Sequence, residues 1–127
     1  MNQNVIRIHV VNIVPEPALE VPYHGMLLRI PLSDLLCIEA EAHYLNLTLK
    51  KGSLRVRMPL KDIESRLESS CFIKINRGTL VNLDRIHSLD AGTVTLPGGR
   101  RPPISEKGRS RVLEAWRSHR ILQLLDG

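Results

Sequence analysis

The sequence LNLTLKKGSLRVRM, residues 45–58, decides the fold. On each side of Lys51-Gly52 every second residue is apolar, which is the period of a strand with one buried face. The polar positions of the second half include Arg55 and Arg57. The stretch therefore predicts an antiparallel hairpin with one apolar face and one cationic edge.

Segments of the same kind lie on both sides of this hairpin, and turn residues separate them. A short helix of about nine residues follows the hairpin, because Pro59 suits its first turn and the apolar residues after it recur at helical spacing. The spacing of the segments predicts an all-β domain. The expected strands cover residues 27–30, 35–39, 72–75, 85–89 and 93–96, with turns at residues 90–92 and 97–99.

The C-terminal segment changes to a helical pattern. Val112, Leu113 and Trp116 form an apolar stripe with basic residues on the remaining face, and Ser105 suits an N-cap. Gly108 stands where a capping box has Glu or Gln, so residues 105–109 are also compatible with a loop. We expect a basic C-terminal helix whose start is weakly specified.

The N-terminal part of the chain differs from the rest. Residues 5–13 alternate apolar and polar side chains, which predicts a half-buried strand. The proline-rich residues 14–25 predict an extended connector in which hydrogen-bond ladders are interrupted. At 127 residues the chain has room for one domain, so we expect this strand and connector over residues 1–25 and a single domain over residues 26–127.

The charge balance points to a polyanionic partner. The chain has 18 basic and 13 acidic residues, a net charge of +5, and residues 97–120 hold most of the excess. Nucleic acid is the leading partner class, although a charged run is also compatible with a solvated helix face. Aromatic residues make up only 3% of the chain, which disfavours modules that stack single-stranded bases on aromatic side chains.

Few residues are arranged for chemistry. Glu39, Glu41 and His43 alternate like a carboxylate and imidazole metal set, but a fourth ligand is missing, so we expect a solvated strand edge and no metal. Cys37 and Cys71 lie among apolar neighbours and are expected to be reduced core thiols. The sequence contains neither a nucleophile elbow nor a phosphate-cradling glycine motif. We expect no enzymatic activity, no cofactor, no small-molecule substrate and, without a signal peptide or membrane-spanning run, a cytoplasmic location.

Four blocks of the sequence resemble the LytTR family of bacterial DNA-binding domains. They follow one another in the family's order within residues 26–118. The blocks read IPLSDLLCIEAE (residues 30–41), VRMPLKDIE (56–64), FIKINRGTLVNLDRI (72–86) and PISEK (103–107). The resemblance implies an elongated all-β domain of short antiparallel strands with one or two small helices, whose loops enter successive major grooves of a bent duplex.

Carried over residue by residue, the resemblance assigns base contacts to three side chains, and polar or cationic side chains near them are then expected to contact the DNA backbone. The expected base contacts are His43, Arg77 and Lys107, whose chemistry suits base edges in the major groove. The expected contacts to the DNA backbone are Arg57, Asn76, Arg100, Arg101 and Arg109.

The sequence departs from the family pattern in its loops. Asn76 replaces the usual His, Gly78 the usual Ser, and Glu106 with Gly108 the usual Arg and Tyr. Glu106 brings a carboxylate close to where phosphate is expected, which affects affinity and site preference more than the fold. Two structural readings compete with base contact in the neighbouring block. Arg77 could form an ion pair with Asp84, and Asn82 is expected to stabilise a turn.

These observations predict a stand-alone transcriptional regulator that binds double-stranded DNA sequence-specifically, as two copies on a repeated site. The chain as written has no room for a receiver domain, so we expect control by expression level, by a partner or through the strand over residues 5–13. The resemblance also allows a membrane protein that sequesters the regulator. The alternative is a non-catalytic β interaction module that binds RNA or an acidic protein through its basic C-terminal segment.

Overall fold

The computed structural model describes residues 16–68 and 70–126, so the strand predicted over residues 5–13 lies outside the described residues. Strands dominate the described part. They are β1 (Ala18–Tyr23), β2 (Met26–Pro31), β3 (Leu35–Glu41), β4 (Tyr44–Leu49), β5 (Ser53–Val56), β6 (Phe72–Asn76), β7 (Thr79–Asn82), β8 (Ser88–Leu89) and β9 (Val94–Thr95). The α-helices are α1 (Leu60–Arg66) and α2 (Arg109–Asp126), and 3-10 turns cover Leu32–Asp34, Leu83–Arg85, Pro97–Gly99 and Glu106–Gly108. The predicted all-β class and the short helix after the hairpin are confirmed.

The centre of the molecule is a five-stranded antiparallel sheet with the order β5-β4-β3-β7-β6. The hairpin predicted from residues 45–58 forms its first two strands, with Leu45 opposite Val56 and Leu47 opposite Leu54. Leu45, Leu47 and Val56 are buried, while Arg55 is exposed on the other face. The predicted hairpin and its apolar face are therefore confirmed.

One face of this sheet is covered throughout and the other is covered over β3, β7 and β6, which makes a three-layer arrangement there. Consecutive residues of a strand point to opposite faces, so Ile38 and Cys37 of β3 belong to two separate cores. The β1–β2 hairpin and α1 cover the first core with Leu19, Ile30 and Ile63. Strands β8 and β9, the segment after them and α2 cover the second core with residues that include Val94, Leu96, Ile104 and Val112.

The predicted connector over residues 14–25 is wrong where the structure describes a strand. All six residues of β1 pair in register with β2, and Leu19 and Val21 are buried. Pro22 is tolerated because β1 has β2 as its only partner among the described residues, and proline is accepted in strands with a free edge. The division of the chain at residue 25 stays a prediction.

The strand predicted over residues 85–89 is shorter than expected, and its first residue belongs to a 3-10 turn. The cause is Asn82, whose side chain is buried and accepts a hydrogen bond from the Asp84 amide over 3.0 Å. Its amide group also donates to the Leu35 carbonyl oxygen at 2.9 Å. The expected turn-stabilising role of Asn82 is confirmed. Near the C-terminus, a 3-10 turn covers Glu106–Gly108 and α2 begins only at Arg109, so the α-helix does not start at Ser105 and residues 105–109 are not a plain loop either.

A carboxylate fastens α2 to the body of the protein. Asp84 accepts hydrogen bonds from His119 and, at 2.6 Å, from Gln123. Burial alone would raise the pKa of Asp84, but the hydrogen bonds from His119 and Cys71 lower it below its ordinary value. The charged form of Asp84 is therefore favoured in the folded state.

We expect Asp84→Asn to lower the free energy of unfolding at pH 5.5 by about 0.5 kcal/mol, a small amount because solvent screens a partly exposed pair. A pKa lowered by folding gives stability that is present above the unfolded carboxyl pKa and is lost as pH falls through the folded value. The difference between variant and wild type should therefore shrink at pH 3. Urea unfolding at both pH values measures it, with Glu114→Gln on the same helix as the control. An equal difference at the two pH values would contradict this account.

Candidate nucleic-acid interface

Two loops with predicted base contacts lie at the same end of the central sheet. Ala42 and His43 join β3 to β4, and Arg77 and Gly78 join β6 to β7. Strands β3 and β7 pair antiparallel, which brings the end of β3 beside the start of β7. The Ala40 amide donates to the Gly78 carbonyl oxygen over 2.8 Å, so a hydrogen bond ties the second loop to the strand that leads into the first.

A third segment is attached to this end from the C-terminal side. The Asn76 side-chain amide donates to the Pro103 carbonyl oxygen at 2.7 Å, and the Ser105 amide donates to the Ile75 carbonyl oxygen at 2.9 Å. Both bonds join residues 103–105 to the end of β6. Lys107 follows in a 3-10 turn and is exposed.

Arg57 lies at the same sheet end but beside the other edge strand, because it directly follows β5. It directly follows the Leu45–Val56 pair, so it lies across from Tyr44 at the start of β4. His43, Tyr44 and Arg57 line one shallow depression. The side chains therefore follow the order Arg57, His43, Arg77 and Lys107 along the sheet end, which we call the loop rim.

The structure thus brings all three predicted base contacts to the loop rim, and His43, Arg77 and Lys107 are all exposed. Their roles toward DNA stay predictions. Arg57 and Arg109 are exposed as well. No described residue forms a salt bridge with Arg57, Arg77, Lys107 or Arg109. The loop rim therefore carries cations that have no carboxylate within salt-bridge distance among the described residues.

Asn76 holds the Arg77 loop in shape. Its side-chain oxygen accepts from the Gly78 amide at 2.9 Å, which is an Asx turn, while its amide group reaches Pro103. A Cβ added at Gly78 would be in ordinary van der Waals contact with the Ala40 Cβ, at 3.6 Å. This bonding is a structural role that sequence reasoning missed, and the predicted backbone contact of Asn76 stays a prediction.

The alternative prediction, an ion pair between Arg77 and Asp84, is wrong in the described structure. Asp84 bonds to His119 and Gln123, and Arg77 makes no salt bridge with any described residue. The side chain at the tip of the loop is therefore available to a ligand.

Two of the predicted backbone contacts are engaged with carboxylates. Arg100 forms an ion pair with Glu39, and the hydrogen bond between them raises the pKa of Arg100. Arg101 lies 3.3 Å from Asp90, whose pKa is lowered by hydrogen bonds from the Gly92 and Thr93 amides. Exposed ion pairs of this kind contribute little stability, so a phosphate group can compete for either arginine.

Two carboxylates near the loop rim have partners within the protein. Glu39 and Glu41 are held by Arg100 and by Asn46, the latter at 2.7 Å. Among residues 16–68 and 70–126, the structure contains no group of three His, Cys, Asp or Glu arranged to hold a metal ion. Glu106 is exposed beside Lys107, as the sequence implied.

The thiols are unsuited to nucleophilic chemistry. Burial raises the pKa of Cys37, and burial together with Asp84 raises the pKa of Cys71 to about 11. Both groups are therefore protonated at neutral pH, whereas a reactive cysteine needs a lowered pKa.

Within the described residues, neither helix combines the length and the apolar character needed to cross a bilayer.

Sequence reasoning missed Tyr44 and Arg55. The Arg55 guanidinium carbon lies 4.4 Å from the centre of the Tyr44 ring, and that of Arg57 lies 6.0 Å from it. The period-two pattern of residues 45–58 already placed Arg55 and Arg57 on the face opposite the apolar one, but it gave Tyr44 no role. Only the register between β4 and β5 brings them together.

Comparisons with known proteins agree with this architecture. The LytTr DNA-binding domain family matches residues 25–117 of the chain. The chain is also similar in structure to a LytTr DNA-binding domain from Bacillus cereus, with a TM-score of 0.66 and 17% sequence identity over 80% of this chain and 97% of that one. A search of curated proteins found no match. Since the family match covers well over half of the sequence, the chain belongs to the LytTR family of DNA-binding domains.

Proposed function

We propose that this protein is a transcriptional regulator that binds double-stranded DNA sequence-specifically through the loop rim. One observation carries the proposal. Three loops from distant parts of the sequence meet at one sheet end, are fastened there by hydrogen bonds, and expose His43, Arg77 and Lys107. Loops held in this way can present side chains at fixed positions, which base recognition requires.

The three side chains have distinct roles in this proposal. Arg77 and Lys107 donate to O6 and N7 of guanine in the major groove, and His43 donates or accepts according to its tautomer. Arg57, Asn76, Arg100, Arg101 and Arg109 contact phosphate groups and fix the register. Arg100 and Arg101 exchange their carboxylate partners for phosphates when DNA binds.

The size of the loop rim limits how DNA can lie on it. Neighbouring strands are about 4.8 Å apart, so the His43 and Arg77 loops are separated by roughly 10 Å and the five strands span roughly 19 Å. Successive major grooves on one side of a straight duplex are about 34 Å apart. We propose that the duplex bends toward the protein, so that side chains from the two ends of the loop rim reach successive major grooves.

The biological setting follows from the same proposal. The protein acts in the cytoplasm as a non-catalytic regulator, and two copies bind a repeated site. A protein inhibitor, including a membrane-bound one, would act by covering the loop rim.

A second candidate function is the binding of RNA or an acidic protein by the basic C-terminal segment. It is favoured by the exposed side chains of Arg109, Arg117 and Arg120 on α2. Selection from a pool of random duplexes separates the two functions. Enrichment of a short motif supports the regulator, whereas flat enrichment with retained RNA binding supports the alternative and contradicts our proposal.

We expect Arg77→Ala or Lys107→Ala to weaken binding to the selected duplex by about 1 to 3 kcal/mol and to relax discrimination at one base pair. The reason is the loss of a donor pair to one base edge. Fluorescence anisotropy with the selected duplex and single-base variants measures both effects. Arg117→Ala is the matched control, because Arg117 is exposed on α2 away from the loop rim. Equal losses on all duplexes would remove Arg77 and Lys107 from base recognition.

Bending of the duplex is tested separately. We expect the bound site to bend by about 40° or more, within the range for proteins that bend their sites, and we expect flexible TA or CA steps at its centre to favour binding. Energy transfer between dyes at the two duplex ends measures the bend, with Arg77→Ala protein as the comparison. An unchanged end-to-end distance at saturation would contradict the proposed contact with successive grooves.

A further inference from the structure

We propose that Tyr44 holds Arg55 and Arg57 as a phosphate-binding pair, which extends the DNA interface from the loop rim onto the adjoining face of β4 and β5. This inference rests on the proposed function. Tyr44 is a positioning residue in it, and the two arginines are the groups that touch the ligand.

The three side chains share one face of the hairpin. Arg55 lies opposite Asn46 in the register of β4 and β5, and Arg57 is two residues further along, so both point away from the buried side of Val56. The Tyr44 ring lies under them, 4.4 Å from the Arg55 guanidinium carbon and 6.0 Å from that of Arg57. Tyr44 itself is half-buried and directly follows His43.

Neither arginine of this pair forms a salt bridge with a described residue. Lys50, Lys74, Arg100 and Arg101 each have a carboxylate within salt-bridge distance, whereas Arg55 and Arg57 have none. Two like charges at neighbouring positions on one face repel each other. A polyanion removes this repulsion, so the arrangement gains more from phosphate groups than a paired arginine does.

The tyrosine ring prepares the pair for binding. A guanidinium group stacked on an aromatic face has fewer conformations to lose when it contacts phosphate, and its edge donors remain free for the phosphate oxygens. Arg57 also lines the depression beside His43, so the pair continues the loop rim without a gap. The face therefore fits the sugar-phosphate backbone next to the bases that the His43 loop reaches.

Salt dependence of duplex binding tests the inference. We expect Arg55→Ala and Arg57→Ala each to weaken binding about fivefold on both the selected and an unrelated duplex, and each to reduce the slope of log K against log salt by about 1. Lys51→Ala is the matched control, because this exposed cation lies in the turn of the same hairpin, between β4 and β5. It should leave affinity and slope unchanged.

Variants of Tyr44 separate positioning from charge. Tyr44→Phe should bind like the wild type, whereas Tyr44→Leu, which removes the aromatic face and no charge, should weaken binding about twofold to threefold with little change in slope. Urea unfolding of each variant checks that the fold is retained. Arg55→Ala and Arg57→Ala variants that are folded and keep the wild-type salt slope would overturn the inference.

The outcome is distinguishable from failure of the proposed function. If selection yields no motif but the salt slope falls in both arginine variants, the proposed sequence-specific binding is wrong. The inference that Arg55 and Arg57 bind phosphate is then still supported. If a motif is selected and neither variant changes the salt slope, the proposed regulatory function is supported. The inference that Arg55 and Arg57 bind phosphate is then wrong. Absence of duplex binding by the wild type would overturn both.

Discussion

The antiparallel pairing of β3 with β7 is the constraint on which the candidate interface depends. It places the loop after β3 beside the loop before β7, and the Ala40–Gly78 hydrogen bond fixes one against the other. The bonds from residues 103–105 to the end of β6 then add the third loop. Because each bond joins segments far apart in the sequence, the loop rim exists only once the central sheet has formed. Stability of the sheet and recognition by the loops are therefore coupled.

Packing on both faces of the sheet explains why these loops can be held at one end. Cys37 and Ile38 belong to different cores, so β3 is fixed from two sides and has little freedom to slide. A slip of one residue in this strand would exchange the two faces and move His43 relative to Arg77. The fold thus converts hydrophobic burial in the interior into fixed spacing at the surface.

Much of the fold was predictable from local pattern, because the period of two in residues 45–58 and the helical spacing after Pro59 are visible in sequence alone. The strand β1 was not, since Pro22 normally interrupts a ladder and its tolerance depends on a single pairing partner. Strand β7 was not predicted either, and the 3-10 turn after it takes the first residue of the strand expected over residues 85–89, because that turn depends on the buried side chain of Asn82 and its contacts with a distant loop. The site residues came from resemblance to a family, and the pairing of Arg100 with Glu39 joins positions that no local pattern connects.

The most direct test of the central claim is a titration of isotope-labelled protein with the selected duplex, followed through the backbone amide resonances. We predict that the largest shifts fall on residues 42–44, 77–79 and 104–108, the three loops that carry His43, Arg77 and Lys107. Amides of residues 50–52, in the turn between β4 and β5, should shift little. Shifts confined to that turn, or to the exposed face of α2, would contradict the account.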